Sequence, residues 1–232
     1  MRREERGAVG HAATRAPLPS PGGSSPLAGI RAVVFDVDET LTSRSTTYRG
    51  RVVALLHTVL ASKIGRWLQA GGRRTRLAPL RLFLHRYDLL CRRVVLEPET
   101  RGMLETVQRA GIVLGIVTNG TARKRHTVAL LDLDGRTSCI VISGELGHRK
   151  PDPAIFDRVI ACLGVPANAI LFVGDRLQQD IAGAQQAGMR TVWLRRGHAP
   201  RRQRRAAHAD RVIASPGELL ATLGLAHAPA AG

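Results

Sequence analysis

Two aspartates separated by one residue stand at the end of a short apolar segment. Residues 32–35 (AVVF) have the character of a buried strand, and Asp36-Val37-Asp38 follows them directly. In extended backbone, residues i and i+2 point to the same side, so Asp36 and Asp38 aim two carboxylates at one place. Carboxylates that close repel each other unless a cation or a shared proton offsets their charge. The pair alone leaves both of these possibilities open.

Three further polar groups stand after apolar segments or before a helix. They are Thr118-Asn119-Gly120 after residues 113–117, Lys150-Pro151-Asp152-Pro153 before a helical segment, and Gly174-Asp175 after residues 171–173, with Asp180 close behind. Because ligands of open parallel sheets bind beyond the carboxyl ends of the strands, we expect these groups to converge. Several acids suit Mg²⁺, and a hydroxyl, backbone N–H groups and a lysine suit phosphate oxygens. The combination favours a cation over a shared proton and predicts phosphoryl chemistry.

The order of apolar and helical segments predicts an α/β fold. Strand-like runs alternate with helical patterns, which is typical of a doubly wound, mostly parallel, Rossmann-like sheet with helices on both faces. The predicted strands are residues 30–37, 112–117, 139–143, 169–173, 191–194 and 211–214. Residues 43–97 break the alternation and read as two or three helices inserted after the first strand. We therefore predict a helical insertion there, an α/β core of residues 29–42 and 98–226, and disordered tails at residues 1–28 and 227–232.

Several predicted helices carry start and stop signals. Asp152 precedes a proline at the first helical position, and Gly164 stands where that helix would end. Ser215 and Glu218 have the spacing of a capping box. Gly188 and Gly224 are predicted to end the last two helices.

The bulk composition limits the classes of function. The formal charge of +17 invites a nucleic-acid interpretation, but aromatic residues make up only 3% of the chain, which leaves few stacking platforms for single strands. No apolar run approaches the roughly 18 residues of a membrane span. The three cysteines have no metal-binding spacing and are predicted to be reduced thiols of a cytoplasmic protein. We expect a small phosphorylated metabolite as partner, no dedicated nucleic-acid binding, and a monomer or homodimer.

The four motifs together resemble those of the haloacid dehalogenase superfamily, phosphatase type, over about residues 30–224. The motifs as they stand here are FDVDETL at 35–41, VTNG at 117–120, KPDPAIF at 150–156 and VGD at 173–175 with Asp180. The insertion at residues 43–97 resembles the helical cap of that family. Dehalogenases of the superfamily lack the second aspartate, so the presence of Asp38 favours phosphoryl transfer. Glu39 stands where many members have glycine, and Arg176 where a small polar residue is common.

The resemblance implies a role for each motif residue. Asp36 would be the nucleophile and Asp38 the general acid/base. Thr118, Asn119, Gly120 and Lys150 would hold the phosphoryl group, and Lys150 would also offset negative charge. Mg²⁺ would be held by Asp36, the backbone carbonyl of Asp38, and Asp175. Asp180 would be a ligand through water or an anchor of Lys150. The implied activity is Mg²⁺-dependent hydrolysis of a phosphomonoester through an aspartyl-phosphate. A phosphotransferase using the same aspartate and a nucleic-acid-associated basic protein stay open as alternatives.

Overall fold

Six short apolar segments form one parallel β-sheet in the computed structural model, which describes residues 27, 29–43, 52, 59, 95–195 and 209–225. Apolar and β-branched side chains suit a pleated surface that is covered on both sides, and β1 and β4 are buried throughout. The strands are β1 (Ala32–Phe35), β2 (Val113–Thr118), β3 (Cys139–Ile142), β4 (Ile170–Gly174), β5 (Arg190–Leu194) and β6 (Arg211–Ile213). All six predicted strands are confirmed.

The strand order places β1 near the centre of the sheet. The order is β3-β2-β1-β4-β5-β6, and every neighbouring pair is parallel. Phe35 at the end of β1 lies opposite Ile116 of β2 and Val173 of β4. The winding of the chain reverses between β1 and β4, and crevices at such reversals are where doubly wound sheets bind ligands.

Helices cover both faces of the sheet, as predicted. Alternate residues of β1 face opposite sides: Val33 and Phe35 belong to one apolar cluster, and Ala32 and Val34 to the other. The helices are α1 (Pro98–Arg109), α2 (Lys124–Leu130), the single turn α3 (Ser143–Leu146), α4 (Pro153–Leu163), α5 (Ala182–Gln186) and α6 (Glu218–Thr222). The first cluster includes residues of α1, α2 and α6, and the second includes residues of α4 and α5.

One predicted helix start is confirmed and another is wrong. The Asp152 carboxylate accepts a hydrogen bond from the Ala154 N–H at 2.9 Å, so it begins α4 as expected, and Gly164 follows the helix with φ +63°. The capping box does not form, because α6 begins at Glu218 itself. The Glu218 carboxylate instead accepts from the Ala214 N–H at 3.1 Å.

The cysteines also differ from the expectation of reduced thiols. Cys139 on β3 and Cys162 on α4 form a disulfide with their Cα atoms 6.1 Å apart. Because α4 packs across β2 and β3, it brings Cys162 over the edge strand, at a Cα separation usual for disulfides. Residues 23 positions apart in the chain cannot be recognised as such a pair by their spacing alone.

Nearly all residues of the predicted tails and of the predicted helical cap lie outside the described residues, so these divisions of the chain stay predictions. In the part of the chain that the structure describes, no helix has both the length and the apolar character needed to span a membrane.

Candidate active site

The carboxyl ends of β1, β2 and β4 meet around a cavity of about 140 Å³. Asp36 directly follows β1, Thr118 is the last residue of β2, and Asp175 directly follows β4. The residues that line the cavity are Asp36, Asp38, Asn119, Arg149, Lys150, Arg176, Gln179 and Asp180. The sheet therefore brings residues of all four predicted motifs to one edge.

A buried lysine lies between two aspartates at the base of this site. Lys150 is 2% exposed, and its Nζ is 2.7 Å from Asp36 Oδ1 and 2.7 Å from Asp180 Oδ1. The ammonium also donates to the Val117 carbonyl oxygen at 2.9 Å. Burying a charge is costly unless it is paired and hydrogen-bonded, and here three acceptors surround it. Asp180 is predicted to be either a metal ligand or an anchor of Lys150. The direct contact with the Lys150 ammonium supports the role of an anchor.

Asn119 fixes the backbone that carries this lysine. Its amide Nδ2 donates to the Lys150 carbonyl oxygen at 3.0 Å, and its Oδ1 accepts from the Lys150 N–H at 2.9 Å. Nδ2 also lies 3.3 Å from the Oε1 of Gln179. The side chain predicted to contact substrate thus joins the β2 loop to the lysine loop, while still lining the cavity.

Gly174 allows Asp180 to approach the end of β4. A Cβ at residue 174 would lie 2.5 Å from the Asp180 Cβ and Oδ2 atoms, which is closer than atoms can pack. The Oδ2 of Asp180 accepts a hydrogen bond from the Arg176 N–H at 3.0 Å. The absence of a side chain at residue 174 therefore determines where the Asp180 carboxylate sits.

Three carboxylates of the site are arranged to hold a metal ion. Asp36, Asp175 and Asp180 each offer an oxygen, and these atoms lie within 4.8 Å of one another. The Oδ1 of Asp175 is shielded from solvent and has no hydrogen-bond partner among the described residues. Trp193 fixes the backbone of this residue, since its Nε1 donates to the Asp175 carbonyl oxygen at 2.9 Å. A hard, oxygen-seeking cation such as Mg²⁺ fits this set of donors.

The electrostatics of the cluster agree with that fit. Burial raises the pKa of the Asp36 carboxyl to about 6, and the charge of Lys150 only partly opposes the rise. Burial and the charges of Asp36 and Asp180 raise the pKa of Asp175 to about 7. Burial disfavours the charged form of Lys150, but the charges of Asp180 and Asp36 outweigh this, and the pKa of the ammonium is raised. The positive groups of the protein do not fully offset the cost of ionising these buried carboxyls. A bound cation would stabilise the ionised forms and lower the pKa values.

Asp38 has a cationic partner of its own. Its carboxylate forms an ion pair with Lys124, the first residue of α2, and both side chains are largely buried. The next residue, Glu39, has φ +63°, a backbone conformation that favours glycine. The positive φ gives a physical reason for the glycine that many members of the resembled family have there.

Two groups predicted to bind phosphate differ in their local bonding. The Thr118 hydroxyl is fully buried and has no hydrogen-bond partner among the described residues. The Gly120 N–H donates to the Ser143 hydroxyl at 3.0 Å, and the same hydroxyl donates back to the Gly120 carbonyl oxygen at 3.1 Å. Thr118 is therefore ready to donate to a ligand, whereas the Gly120 N–H would first have to exchange its partner.

The sequence reasoning missed Lys124, Trp193 and Ser143. Trp193 and Ser143 act through contacts between separate strands and loops, which no local motif reveals. Lys124 had a usable signal, because it is one of only three lysines in a chain whose positive charge is otherwise arginine.

Comparison with known proteins identifies the family. The family model for haloacid dehalogenase-like hydrolases matches residues 30–188. The chain is 32% identical over 207 residues to a glyceraldehyde 3-phosphate phosphatase of Methanopyrus kandleri, covering 72% of this chain and 85% of that protein. It is 38% identical over 110 residues to a phosphoserine phosphatase of Thermus thermophilus, covering 47% of this chain but only 44% of the relative.

A solved structure agrees in fold. The crystal structure of a HAD phosphatase from Thermococcus onnurineus superimposes with a TM-score of 0.61 at 28% identity, covering 86% of this chain and all of that one. The chain therefore belongs to the haloacid dehalogenase-like hydrolases, and the relatives that it matches here are phosphatases.

Proposed function

We propose that this protein hydrolyses a small phosphomonoester in a Mg²⁺-dependent reaction, through a phosphorylated Asp36. The observation that carries the proposal is the position of Asp36. Its carboxylate lies at the switch point of the sheet, 2.7 Å from the buried Lys150 ammonium and beside two further acids. Thr118 is the last residue of the neighbouring strand, and its hydroxyl has no hydrogen-bond partner among the described residues. The names of the two relatives above support a small phosphorylated substrate.

In the first half of the reaction, a carboxylate oxygen of Asp36 attacks phosphorus. A bond forms between that oxygen and phosphorus, and the bond from phosphorus to the ester oxygen breaks. Asp38, which lines the same cavity, must carry a proton at this point and gives it to the leaving oxygen, so the alcohol departs neutral. Lys150 and the Thr118 hydroxyl offset the negative charge on the transferring group.

In the second half, water releases the phosphoryl group. Asp38 is now ionised, takes a proton from the water, and the water oxygen attacks phosphorus. The bond from phosphorus to Asp36 breaks, which restores the carboxylate and liberates inorganic phosphate. One residue thus serves as acid and then as base, and its proton balance closes over the cycle.

Asp36, Asp175 and Asp180, with the backbone carbonyl of Asp38, are the groups that we propose to hold Mg²⁺. When bound, the ion would neutralise charge on the nucleophile and on the phosphoryl oxygens. The best support for such a ligand is the shielded Oδ1 of Asp175, which has no hydrogen-bond partner in the part of the chain that the structure describes.

The test is phosphate release from a panel of phosphomonoesters, including phosphoserine, glyceraldehyde 3-phosphate and phosphoglycolate, with Mg²⁺ or with EDTA. We expect release only with Mg²⁺, and its loss by at least a thousandfold in Asp36→Asn. Acid quenching should trap a phosphorylated protein in the wild type and none in the variant. Full activity of Asp36→Asn would refute the mechanism, and phosphate transferred to added alcohols would instead favour a phosphotransferase.

A further inference from the structure

Lys124 is a buried cation for which the proposed reaction has not yet given a role. It is 7% exposed, and its ammonium pairs with the Asp38 carboxylate, whose side chain is 16% exposed. Among the described residues that line the cavity, Asp38 is present and Lys124 is not. The Lys124 side chain therefore contacts Asp38 from a nearly solvent-free position.

The position of Lys124 is energetically unfavourable for a lysine that has no acidic partner. A positive charge in the first turn of a helix opposes the helix dipole, and burying an ammonium is costly without a partner. Both costs apply to Lys124, because it is the first residue of α2 and is largely buried. The Asp38 carboxylate is the group that offsets both costs.

The surroundings are shaped for the lysine stem. A Cβ at Gly120 would lie 3.2 Å from the Lys124 Cβ and 3.3 Å from its Cγ, so the glycine leaves room for the stem to pass. The Lys124 N–H donates to the Thr121 carbonyl oxygen at 2.9 Å, which fixes the start of the helix. A compact ammonium on a slim stem suits this passage better than a broad guanidinium.

The composition of the chain points the same way. Only three of its 35 lysines and arginines are lysine, and two of these three, Lys124 and Lys150, pair with aspartates of this site. Lys150 forms ion pairs with Asp36 and Asp180, and Lys124 forms one with Asp38. The two aspartates of the first motif are thus paired with separate cations.

We propose that Lys124 is the positioning residue of Asp38, and that it holds the carboxylate in the cavity before substrate binds. Because this role presupposes the hydrolysis proposed above, it predicts a defect only in the steps that need Asp38. Binding of substrate should change little, because Lys124 does not line the cavity.

The first test compares two substrates in Lys124→Met, which keeps the length of the stem and removes the charge. An alkyl phosphomonoester needs a proton on its leaving oxygen, whereas 4-nitrophenolate leaves as a stable anion. We expect kcat/KM for the alkyl ester to fall at least tenfold more than for 4-nitrophenyl phosphate, within the 10²–10⁴-fold that acid–base catalysis supplies. KM should stay within about threefold of wild type, and Lys124→Arg should lose less activity than Lys124→Met. Equal losses on both substrates would overturn the proposal.

The second test is a double-mutant cycle with Asp38→Asn. If Lys124 acts through Asp38, Lys124→Met should cost much less in the Asp38→Asn background than in the wild type. The melting temperatures of the same four proteins give a readout that does not need activity, and their losses should likewise be less than additive. Additive losses in both readouts would overturn the proposal.

Arg125→Met is the matched control, because it removes a positive charge from the next residue of the same helix. Arg125 is exposed and its Nε donates to the Glu145 carboxylate at 3.1 Å, away from Asp38. This variant should keep wild-type kinetics on both substrates. A wild-type chain inactive on the whole panel would overturn the hydrolysis and the role of Lys124 together. An active wild type with an additive cycle would overturn the role of Lys124 alone.

Discussion

At the scale of single residues, the site is a set of acids held in place by two buried lysines. Lys150 contacts Asp36 and Asp180 directly, and its backbone is fixed by Asn119. Removing one partner of a buried pair leaves an uncompensated charge, which costs more than the pair itself contributed. The consequences of single substitutions should therefore be large and should differ between activity and stability.

Lys150→Met tests this directly. We expect activity to fall by at least a hundredfold, because a donor to the transferring group is lost. We also expect the free energy of unfolding to fall by about 3 kcal/mol, because Asp36 and Asp180 lose their shared partner. Phosphate release and urea unfolding measure the two effects. Arg149→Met, at the exposed neighbouring residue, should leave the unfolding free energy within about 0.5 kcal/mol of wild type. Equal stability of the two variants would contradict the buried ion pair.

Gly174→Ala tests whether the empty space beside Asp180 matters. The new Cβ would lie 2.5 Å from Asp180, so the Asp180 side chain, which contacts Lys150, must shift. We expect at least a hundredfold loss of activity, because displacements of about 1 Å have effects of that order. The matched control is Gly102→Ala in α1, where a Cβ meets nothing within 4 Å. That variant should keep its activity and gain about 0.5–1 kcal/mol of stability from helix propensity. Wild-type activity in Gly174→Ala would refute the proposed position of Asp180.

At the scale of secondary structure, periodicity and chain order were enough to predict the sheet. All six strands and the start of α4 could be read from the sequence, because apolar runs and a capping aspartate act locally. The Asp38–Lys124 pair and the Cys139–Cys162 disulfide could not, because each joins elements that meet only after the sheet has formed. The capping box failed for a related reason: Glu99 of α1 accepts a hydrogen bond from the Gly217 N–H at 3.0 Å, a tertiary contact just before α6.

The disulfide between β3 and α4 yields a prediction at the same scale. Closing a loop of this length stabilises a protein by about 3 kcal/mol in the chain-entropy description. Cys162→Ala is the suitable variant, because Cys162 is exposed whereas Cys139 is buried against the sheet. We expect it to unfold at lower urea concentration than the oxidised wild type, by about that free energy. Reduced wild type should unfold like the variant, and a denatured oxidised chain should offer one reactive thiol. Three reactive thiols would contradict the disulfide.

At the scale of the whole molecule, the site is a cluster of acidic residues in a chain of net positive charge. The formal charge is +17 with only 18 acidic residues, yet Asp36, Asp38, Asp175 and Asp180 gather at one edge of the sheet. The net positive charge of the chain favours the approach of an anionic substrate. The local cluster needs positive charge of its own, and two lysines supply part of it. Burial, together with the charges of the neighbouring acids, still raises the pKa values of Asp36 and Asp175.

The pH dependence of unfolding follows from these two carboxyls. Without a divalent cation, their pKa values are about 6 and about 7 in the folded protein, above the ordinary value of 3.8. The folded state therefore binds protons more tightly than the unfolded state. The stability that this contributes is fully present below about pH 4 and is lost as the pH rises through 6 and 7. Mg²⁺ binds the ionised carboxylates, so its effect should grow over the same range.

We therefore expect Mg²⁺ to raise the melting temperature little at pH 5 and strongly at pH 8. At a hundredfold excess over its dissociation constant, a ligand that binds only the folded state contributes about 2.7 kcal/mol. Thermal unfolding in Mg²⁺ and in EDTA at the two pH values measures the difference. Asp175→Asn removes the carboxyl with the higher pKa and should abolish most of the effect at pH 8, while Asp157→Asn, on the exposed side of α4, should not. An equal Mg²⁺ shift at both pH values would mean that the ion binds elsewhere, because a site made of these carboxylates must release protons as it fills.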